Sequence, residues 1–399
     1  MFETICLVAD DETPPAESPA PPAPRMEQRH RRTVLRVIVA SQLALALVTA
    51  LVVLLAFNNL NGNITVDDFE QQLTDRPEKI DVAGPQEPLN ILVMGSDSRE
   101  GEGNNIDGLT GGGERSDTTI LIHVSADRED AYGVSLPRDA LVDRPDCMNA
   151  DLETIPGEKL TMFNTAFSVG GPACTIQTVE QLTGIRIDHH ITVDFNGFKD
   201  MVDAVRGVEV CIPRDVEDYE HDIFFEAGTQ SLTGQQALNY VRERTVLSVT
   251  GDIGRMKRQQ AFIASMINKV MSANTLTRPE RVYEFLYAAT SSIRLDKELG
   301  SLGKLADLAM QFQATGLADI KFVTVPFEPY APDPNRLVWT AEAETLWERI
   351  RNDEPLGRML SQDSLSAADP VGSPTGTRPG SKNSAEKDAA QRLANGLCA

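Results

Sequence analysis

Apolar positions fall into two regimes along the chain. From Val37 to Phe57 the residues VIVASQLALALVTALVVLLAF run 21 positions without a charge, enough for a helix to cross a hydrocarbon core of roughly 30 Å. Beyond Pro88, short apolar runs alternate with longer segments of helical periodicity. The runs 89–95, 118–125, 131–137, 189–195, 207–213 and 320–326 predict strands. The segments 172–184, 196–205, 233–242, 255–272, 298–312 and 341–351 predict helices. Strands interleaved with helices imply an α/β layered domain, preceded by one transmembrane helix.

The polar stretches set the boundaries. Residues 1–33, rich in Pro, Ala and Glu, are expected to form a disordered cytoplasmic tail, followed by the spanning helix at 34–57 and a polar stalk at 58–87. The folded domain is expected over 88–355, and the Ser-, Pro-, Gly-, Ala- and Lys-rich residues 362–399 as a second disordered tail. A cleaved signal peptide is the competing reading of the apolar run, but the run is long for a signal core and no small-x-small site follows Phe57. Arg25, Arg29, Arg31, Arg32 and Arg36 precede the span, and Asp67, Asp68 and Glu70 follow it. The positive-inside rule therefore places the N-terminus in the cytoplasm and the domain outside the cell membrane.

A formal net charge of −22 over 399 residues repels polyanions, so nucleic acid is not an expected partner unless basic residues gather locally. The five cysteines, at 6, 147, 174, 211 and 398, are too dispersed for a zinc knuckle or a CxxC pair. Cys147 and Cys174 are candidates for a disulfide worth roughly 3 kcal/mol in the chain-entropy model, with Cys211 read as a buried thiol. His189 and His190 open a strand without a partner motif, which favours a surface or capping role over metal binding.

Basic residues do gather, beside aspartates at the ends of elements. Gly95-Ser96-Asp97-Ser98-Arg99 follows one strand, and Arg115-Ser116-Asp117 enters the next after a glycine-rich loop at 108–113. Pro137-Arg138-Asp139 ends a third strand, and Arg242, Arg244, Asp252, Arg255, Arg258 and Gln259 lie around the junction of two helices. Taken singly, each is ordinarily a turn, a cap or a surface ion pair. Together they place guanidinium forks, which suit phosphate oxygens, beside paired carboxylates of the kind that hold Mg²⁺ with phosphate.

The ordered blocks ILVMGSDSR, RSDTTILIHVS, VSLPRDALV, FNTAFSVGG, TGQQALNYVRER and GDIGRMKRQQAFI resemble the LytR-CpsA-Psr family of bacterial cell-wall enzymes over about residues 88–275. The resemblance implies a three-layer α/β/α domain with a central mixed sheet, and a phosphotransferase that moves a glycopolymer from a polyprenyl-pyrophosphate lipid to peptidoglycan, with the 6-hydroxyl of N-acetylmuramic acid as acceptor and Mg²⁺ (or Mn²⁺) as cofactor. Carried over by position, Asp97 and Asp117 are the metal carboxylates. Arg115, Arg138, Arg242, Arg244 and Arg255 grip the pyrophosphate, with Gln259 in the same pocket; Arg115, Asp117 and Arg138 are the catalytic candidates. Asp252 would shape the loop or orient Arg255, and Asp139 would act behind them. An apolar tunnel for the lipid, which the family forms, would draw on Val193, Phe195, Phe198, Met201, Leu238 and Phe262, all equally readable as plain core.

The chain departs from that pattern in places. Met162 stands where many relatives carry Lys, Arg206 precedes Gly207 where a glycine pair is usual, and the loop TVLSVTG after Arg244 is unusually apolar. A lipid pyrophosphatase is a rival reading, because water could replace the sugar acceptor. A membrane-bound transcription attenuator is another, against which stands a cytoplasmic tail without a helix-turn-helix pattern.

Overall fold

The computed structural model describes residues 25–97, 116–219, 223–361, 363–369 and 382–398. It divides into two units, Met1–Ala56 and Phe57–Ala399. The first is dominated by a helix, α1 (Arg25–Asn63), whose last residues belong to the second unit. Its stretch Arg31–Asn63 is long and apolar enough to cross a membrane, and its apolar side chains from Val34 to Leu55 are exposed.

The second unit is built on an eight-stranded mixed sheet. Its order is β1 (Thr65–Asp67), Ile293–Asp296, His189–Val193, β2 (Leu89–Ser96), β3 (Ser116–Val124), β4 (Ala131–Leu136), Ile320–Thr324 and Leu365–Ser366. β2, β3 and β4 form an antiparallel meander, while His189–Val193 and Ile320–Thr324 run parallel to β2 and β4. Along β2 the side chains alternate between layers, as a pleated strand requires. Leu92 and Met94 pack with Phe167, Val179, Leu346 and Trp347, under helices α2 (Thr165–Thr183) and Ala341–Arg351. Ile91 and Val93 face the opposite layer with Leu308 of the helix Leu302–Thr315. The three-layer expectation therefore holds.

Helix α5 (Asp252–Met271) joins that sheet to a second apolar cluster. Ala261 and Ala264 pack against Val124 and Phe322 of the sheet, whereas Phe262 packs with α3 (Phe195–Ala204), α4 (Gly234–Arg242) and the strand Val208–Ile212. That strand pairs with Gly228–Leu232 in a hairpin, outside the main sheet.

Two boundaries differ from the sequence reading. The stretch expected as a stalk supplies β1 to the sheet edge, and Arg76 within it binds Glu180 of α2 at 2.6 Å. The stretch expected as a disordered tail carries the short strand Leu365–Ser366 and a helix at Lys382–Ala394, and it ends in a Cys211–Cys398 disulfide. Cys211 is thus cross-linked, not a free thiol. The Cys147–Cys174 disulfide is present as expected. His190 is buried beside Asp67 instead of lying at the surface, and His189 binds Asp296 at 3.2 Å.

Candidate active site

Three strand ends and one helix junction build the site. β2 and β3 pair regularly up to Gly95 opposite Thr118, then Ser96 pairs with Ser116. The shift leaves Asp117 as the extra residue of a β-bulge, a device that re-aims a side chain at a strand end. Asp97 follows directly on the neighbouring strand, half-buried.

β4 ends at Leu136, and Pro137 opens a turn closed by the Ala140 N–H on the Pro137 carbonyl at 3.1 Å. The Phe163 and Asn164 N–H groups donate to the carbonyls of Ala140 and Arg138 at 2.8 and 3.1 Å. The Phe163-Asn164 block therefore acts through its backbone, fixing the turn that carries Arg138.

The junction between α4 and α5 is organised by Glu243. A capping box, Thr233 with Gln236, starts α4. After the helix ends at Arg242, the buried Glu243 carboxylate accepts from the N–H groups of Thr245, Val246 and Leu247, the last two at 2.7 and 2.8 Å. These bonds curl the loop around one carboxylate and place Arg244 at its edge. Gly251, at φ 58°, turns the chain into α5, where left-handed backbone favours glycine. Asp252 then occupies the first turn of α5, where the helix dipole favours an anion, and Arg255 follows one turn later.

These pieces meet in one ion-pair cluster. Arg138 donates from Nη1 to Asp117 Oδ1 at 2.6 Å and from Nε to Asp252 Oδ2 at 2.8 Å and Asp139 Oδ2 at 3.3 Å. Asp117 Oδ2 also receives Arg244 Nη2 at 3.3 Å and lies 3.7 Å from Arg255 Nη1. Asp252 is further approached by Arg244 Nε at 3.5 Å and Arg255 Nη2 at 3.3 Å. Arg336, on the strand Asp333–Trp339, stands 3.7 Å from Asp139. Four guanidiniums thus face three carboxylates in a protein that is strongly acidic overall.

The charges set the protonation states. Burial favours neutral Asp117, but the guanidiniums of Arg255 and Arg138 outweigh it and hold the carboxyl below its usual range. Asp252 is likewise held far down against its burial, by the hydrogen bond from Asp139 and by Arg255 and Arg138. Asp139 moves the other way: burial, with the hydrogen bond to Asp252, pushes it up to about 6. Arg255, only 1 % exposed, is pushed down to about 10 by burial and stays charged, and its Nε has no hydrogen-bond partner. Such a cluster is suited to an anion carrying several oxygens, which can take over guanidinium hydrogen bonds now made to aspartates.

Of the residues expected from the sequence, Asp117, Arg138, Arg244, Asp252, Asp139 and Arg255 come together. Arg115 lies outside the described residues, as do Ser98, Arg99 and the glycine-rich loop. Arg242 stacks 4.6 Å from the Phe195 ring centroid. Gln259 uses its amide to donate to the Val241 carbonyl at 3.1 Å, tying α5 to the end of α4. Arg258, grouped with the site by sequence, is fully buried, donates to the carbonyls of Tyr240 and Glu243, and is part of the core. Phe195, Phe198, Leu238 and Phe262 pack in one apolar cluster of α3, α4 and α5, with Phe198 and Phe262 at 5.3 Å between rings, and Met201 is buried on α3. Val193 packs in a separate cluster.

Among the described residues no three His, Cys, Asp or Glu side chains gather to hold a metal. Asp97 and Asp117 lie on neighbouring strand ends and would be a donor set of two carboxylates. That fits Mg²⁺, which ordinarily takes one or two carboxylates and completes its shell with substrate phosphate and water.

Comparison with known proteins follows the same lines. The LytR-CpsA-Psr family model matches residues 56–351. The probable cell wall biosynthesis protein LcpB of Corynebacterium glutamicum is 33 % identical over 270 residues, 66 % of this chain and 61 % of that protein. LcpA of the same organism, a cell wall biosynthesis protein, is 33 % identical over 261 residues, 59 % of this chain and 49 % of that protein. The chain thus spans about half to three fifths of the length of these two relatives. The polyisoprenyl-teichoic acid–peptidoglycan teichoic acid transferase TagU of Enterococcus faecalis is 32 % identical over 241 residues, 60 % of this chain and 72 % of that protein. In fold, a LytR-Csp2A-Psr enzyme from Actinomyces oris gives a TM-score of 0.52 at 20 % identity, over 69 % of this chain and 96 % of that one. With a family model matched from the end of the apolar helix through Arg351, this chain belongs to the LytR-CpsA-Psr family.

Proposed function

We propose that the protein is a phosphotransferase that moves a glycopolymer phosphate from a polyprenyl-pyrophosphate carrier to peptidoglycan, on the outer side of the cell membrane. The observation that carries this reading is the convergence of Arg138, Arg244 and Arg255 on Asp117 and Asp252 at the ends of β3, β4 and α5. The name of the TagU relative supports transfer from a polyisoprenyl-linked polymer to peptidoglycan, and that of the corynebacterial relative supports a role in cell wall biosynthesis. The arginines at the start of α1, ahead of its apolar run, and the acidic residues that follow the helix support an outside location.

Arg138, Arg244 and Arg255 exchange aspartate oxygens for those of the pyrophosphate, neutralising charge that grows on the bridging oxygen. Arg115 and Arg242 are the further pyrophosphate arginines that the family resemblance assigns, and Gln259 ties the two helices behind the cluster. Asp97 and Asp117 would hold Mg²⁺, which supplies further charge neutralisation when bound. An acceptor sugar hydroxyl attacks the glycan-side phosphorus, the bond to the bridging oxygen breaks, and polyprenyl phosphate leaves. The hydroxyl proton passes to Asp139, the cluster carboxylate whose ionisation, at about 6, lies nearest neutral pH. Transfer is therefore expected to fall as pH drops through that value, measured as initial rate against pH.

The test is incubation of the full chain with a short-chain polyprenyl-pyrophosphoryl-N-acetylglucosamine, Mg²⁺ and peptidoglycan. A phosphodiester-linked sugar on the wall, with polyprenyl phosphate released, is the expected product. Lipid cleavage without the phosphodiester would make the protein a pyrophosphatase, and intact lipid would overturn the phosphotransferase reading.

A further inference from the structure

The loop that carries Arg244 and Asp252 is held from outside by the end of the chain. The Val249 N–H donates to the Ala394 carbonyl at 3.1 Å, and the Thr250 hydroxyl donates to Asn395 Oδ1 at 2.9 Å. Arg258 Nη1 reaches the Asn395 carbonyl at 3.4 Å from within α5. Gly396, at φ 76°, lies so close to the loop that a Cβ would meet the Leu247 carbonyl oxygen at 2.5 Å. Leu397 is buried against the sheet, Arg392 donates to the Cys398 carbonyl at 2.8 Å, and Cys398 is bonded to Cys211.

Beyond Glu243, Arg214 donates to the Val246 carbonyl at 2.6 Å, the Ser248 hydroxyl donates to the Gly251 carbonyl at 3.4 Å, and Leu247 and Ser248 are buried. Arg244 is 40 % exposed and Val249 82 % exposed, and the C-terminal contacts at Val249 and Thr250 hold the last turn of the loop before α5. Arg244 and Asp252, which complete the ion-pair cluster from this side, flank the anchored stretch.

We propose that the C-terminal segment Ala394–Cys398 is a clasp on the active-site loop, with Asn395 as a positioning residue. Through Thr250 it fixes where Arg244 and Asp252 stand, and hence how tightly a pyrophosphate is held. The Leu397 burial and the Cys398 bond keep the clasp in place, while Asn395 transmits its position to the loop. The proposal rests on the reading of the cluster as a pyrophosphate site, but the motion of the loop can be measured apart from it.

The experiment uses the full chain in detergent, with Asn395→Ala, Thr250→Val and Thr250→Ser variants. Hydrogen exchange is followed in peptides covering 244–252, and inorganic pyrophosphate binding is measured by calorimetry with Mg²⁺. Loss of one such hydrogen bond is expected to speed loop exchange and weaken pyrophosphate roughly threefold to tenfold in the first two variants. Thr250→Ser, which keeps the hydroxyl, is expected to match the wild type in both. Unchanged loop exchange in Asn395→Ala and Thr250→Val would overturn the clasp, as would a lowered melting temperature with pyrophosphate binding intact. Should Asn395→Ala fail to fold, the two Thr250 variants decide alone. A wild type that binds no pyrophosphate would overturn the proposed function, and loop exchange would still decide whether the clasp exists.

Discussion

Arg138 is the residue on which the site depends most, because its single guanidinium holds Asp117, Asp139 and Asp252 together. Lysine carries the charge but not the fork. Arg138→Lys is therefore expected to fold and to bind Mg²⁺-pyrophosphate about 10- to 100-fold more weakly, the loss of one charge-assisted hydrogen bond or two, as read by calorimetry. Asp139 gives a pH prediction of definite sign. Its pKa rises on folding, so its contribution to stability is complete below the ordinary carboxylate value and is lost as pH rises through about 6. Asp252 is depressed and works the opposite way, losing its contribution only in strong acid. Asp139→Asn, a fixed mimic of the protonated form, should then melt progressively above the wild type as pH climbs from 4 to 8, and near it at pH 4. A difference independent of pH would contradict this. The aspartates and arginines were legible in the sequence because they stand at the ends of strongly periodic elements. Arg336 was not, since it comes from a hairpin some 200 residues after Asp139 with no block around it. Arg258 stands one turn from Arg255 in the same charged stretch, and sequence spacing does not say that its guanidinium turns inward to Tyr240 and Glu243.

At the scale of elements, the α4–α5 junction rests on Glu243. Its carboxylate satisfies three backbone N–H groups and sits 3.7 Å from the buried Arg258. Glu243→Gln keeps the shape but removes the charge that pairs Arg258, and is expected to cost about 1–3 kcal/mol by thermal or denaturant unfolding. A variant with unchanged stability would show that the loop is held elsewhere. The strands of the main sheet could be read from apolar runs, but Val208–Ile212 looked the same and belongs to a hairpin, because alternation reports burial and not the partner strand. The predicted start of α2 near 172 reflects a real break. Gly170 and Gly171 leave helical geometry, and Pro172 opens the regular part. The edge strand Thr65–Asp67 and its neighbour Ile293–Asp296 were too short to carry a period.

For the whole molecule, two disulfides close loops of very different length, with sequence separations of 27 and 187 residues. Chain entropy assigns about 3.5 kcal/mol to the first and about 5 kcal/mol to the second. Cys398→Ser should therefore lower the melting temperature more than Cys147→Ser. An equal or reversed order would mean that the C-terminal segment is held mainly by its other contacts. That segment was read as disordered because its composition is poor in apolar residues, yet Leu397 and Cys398, with the contacts of Ala394 and Asn395, anchor its end. The most direct test of the central claim, that the arginine–aspartate cluster is the pyrophosphate site of a metal-dependent transferase, is phosphate release from a polyprenyl-pyrophosphate substrate by the full chain, with and without Mg²⁺, for wild type, Arg138→Ala and Asp117→Ala. The account predicts Mg²⁺-dependent turnover in the wild type and at least a hundredfold loss, roughly 3 kcal/mol of barrier, in both variants; turnover that survives either substitution, or none in the wild type, would contradict it.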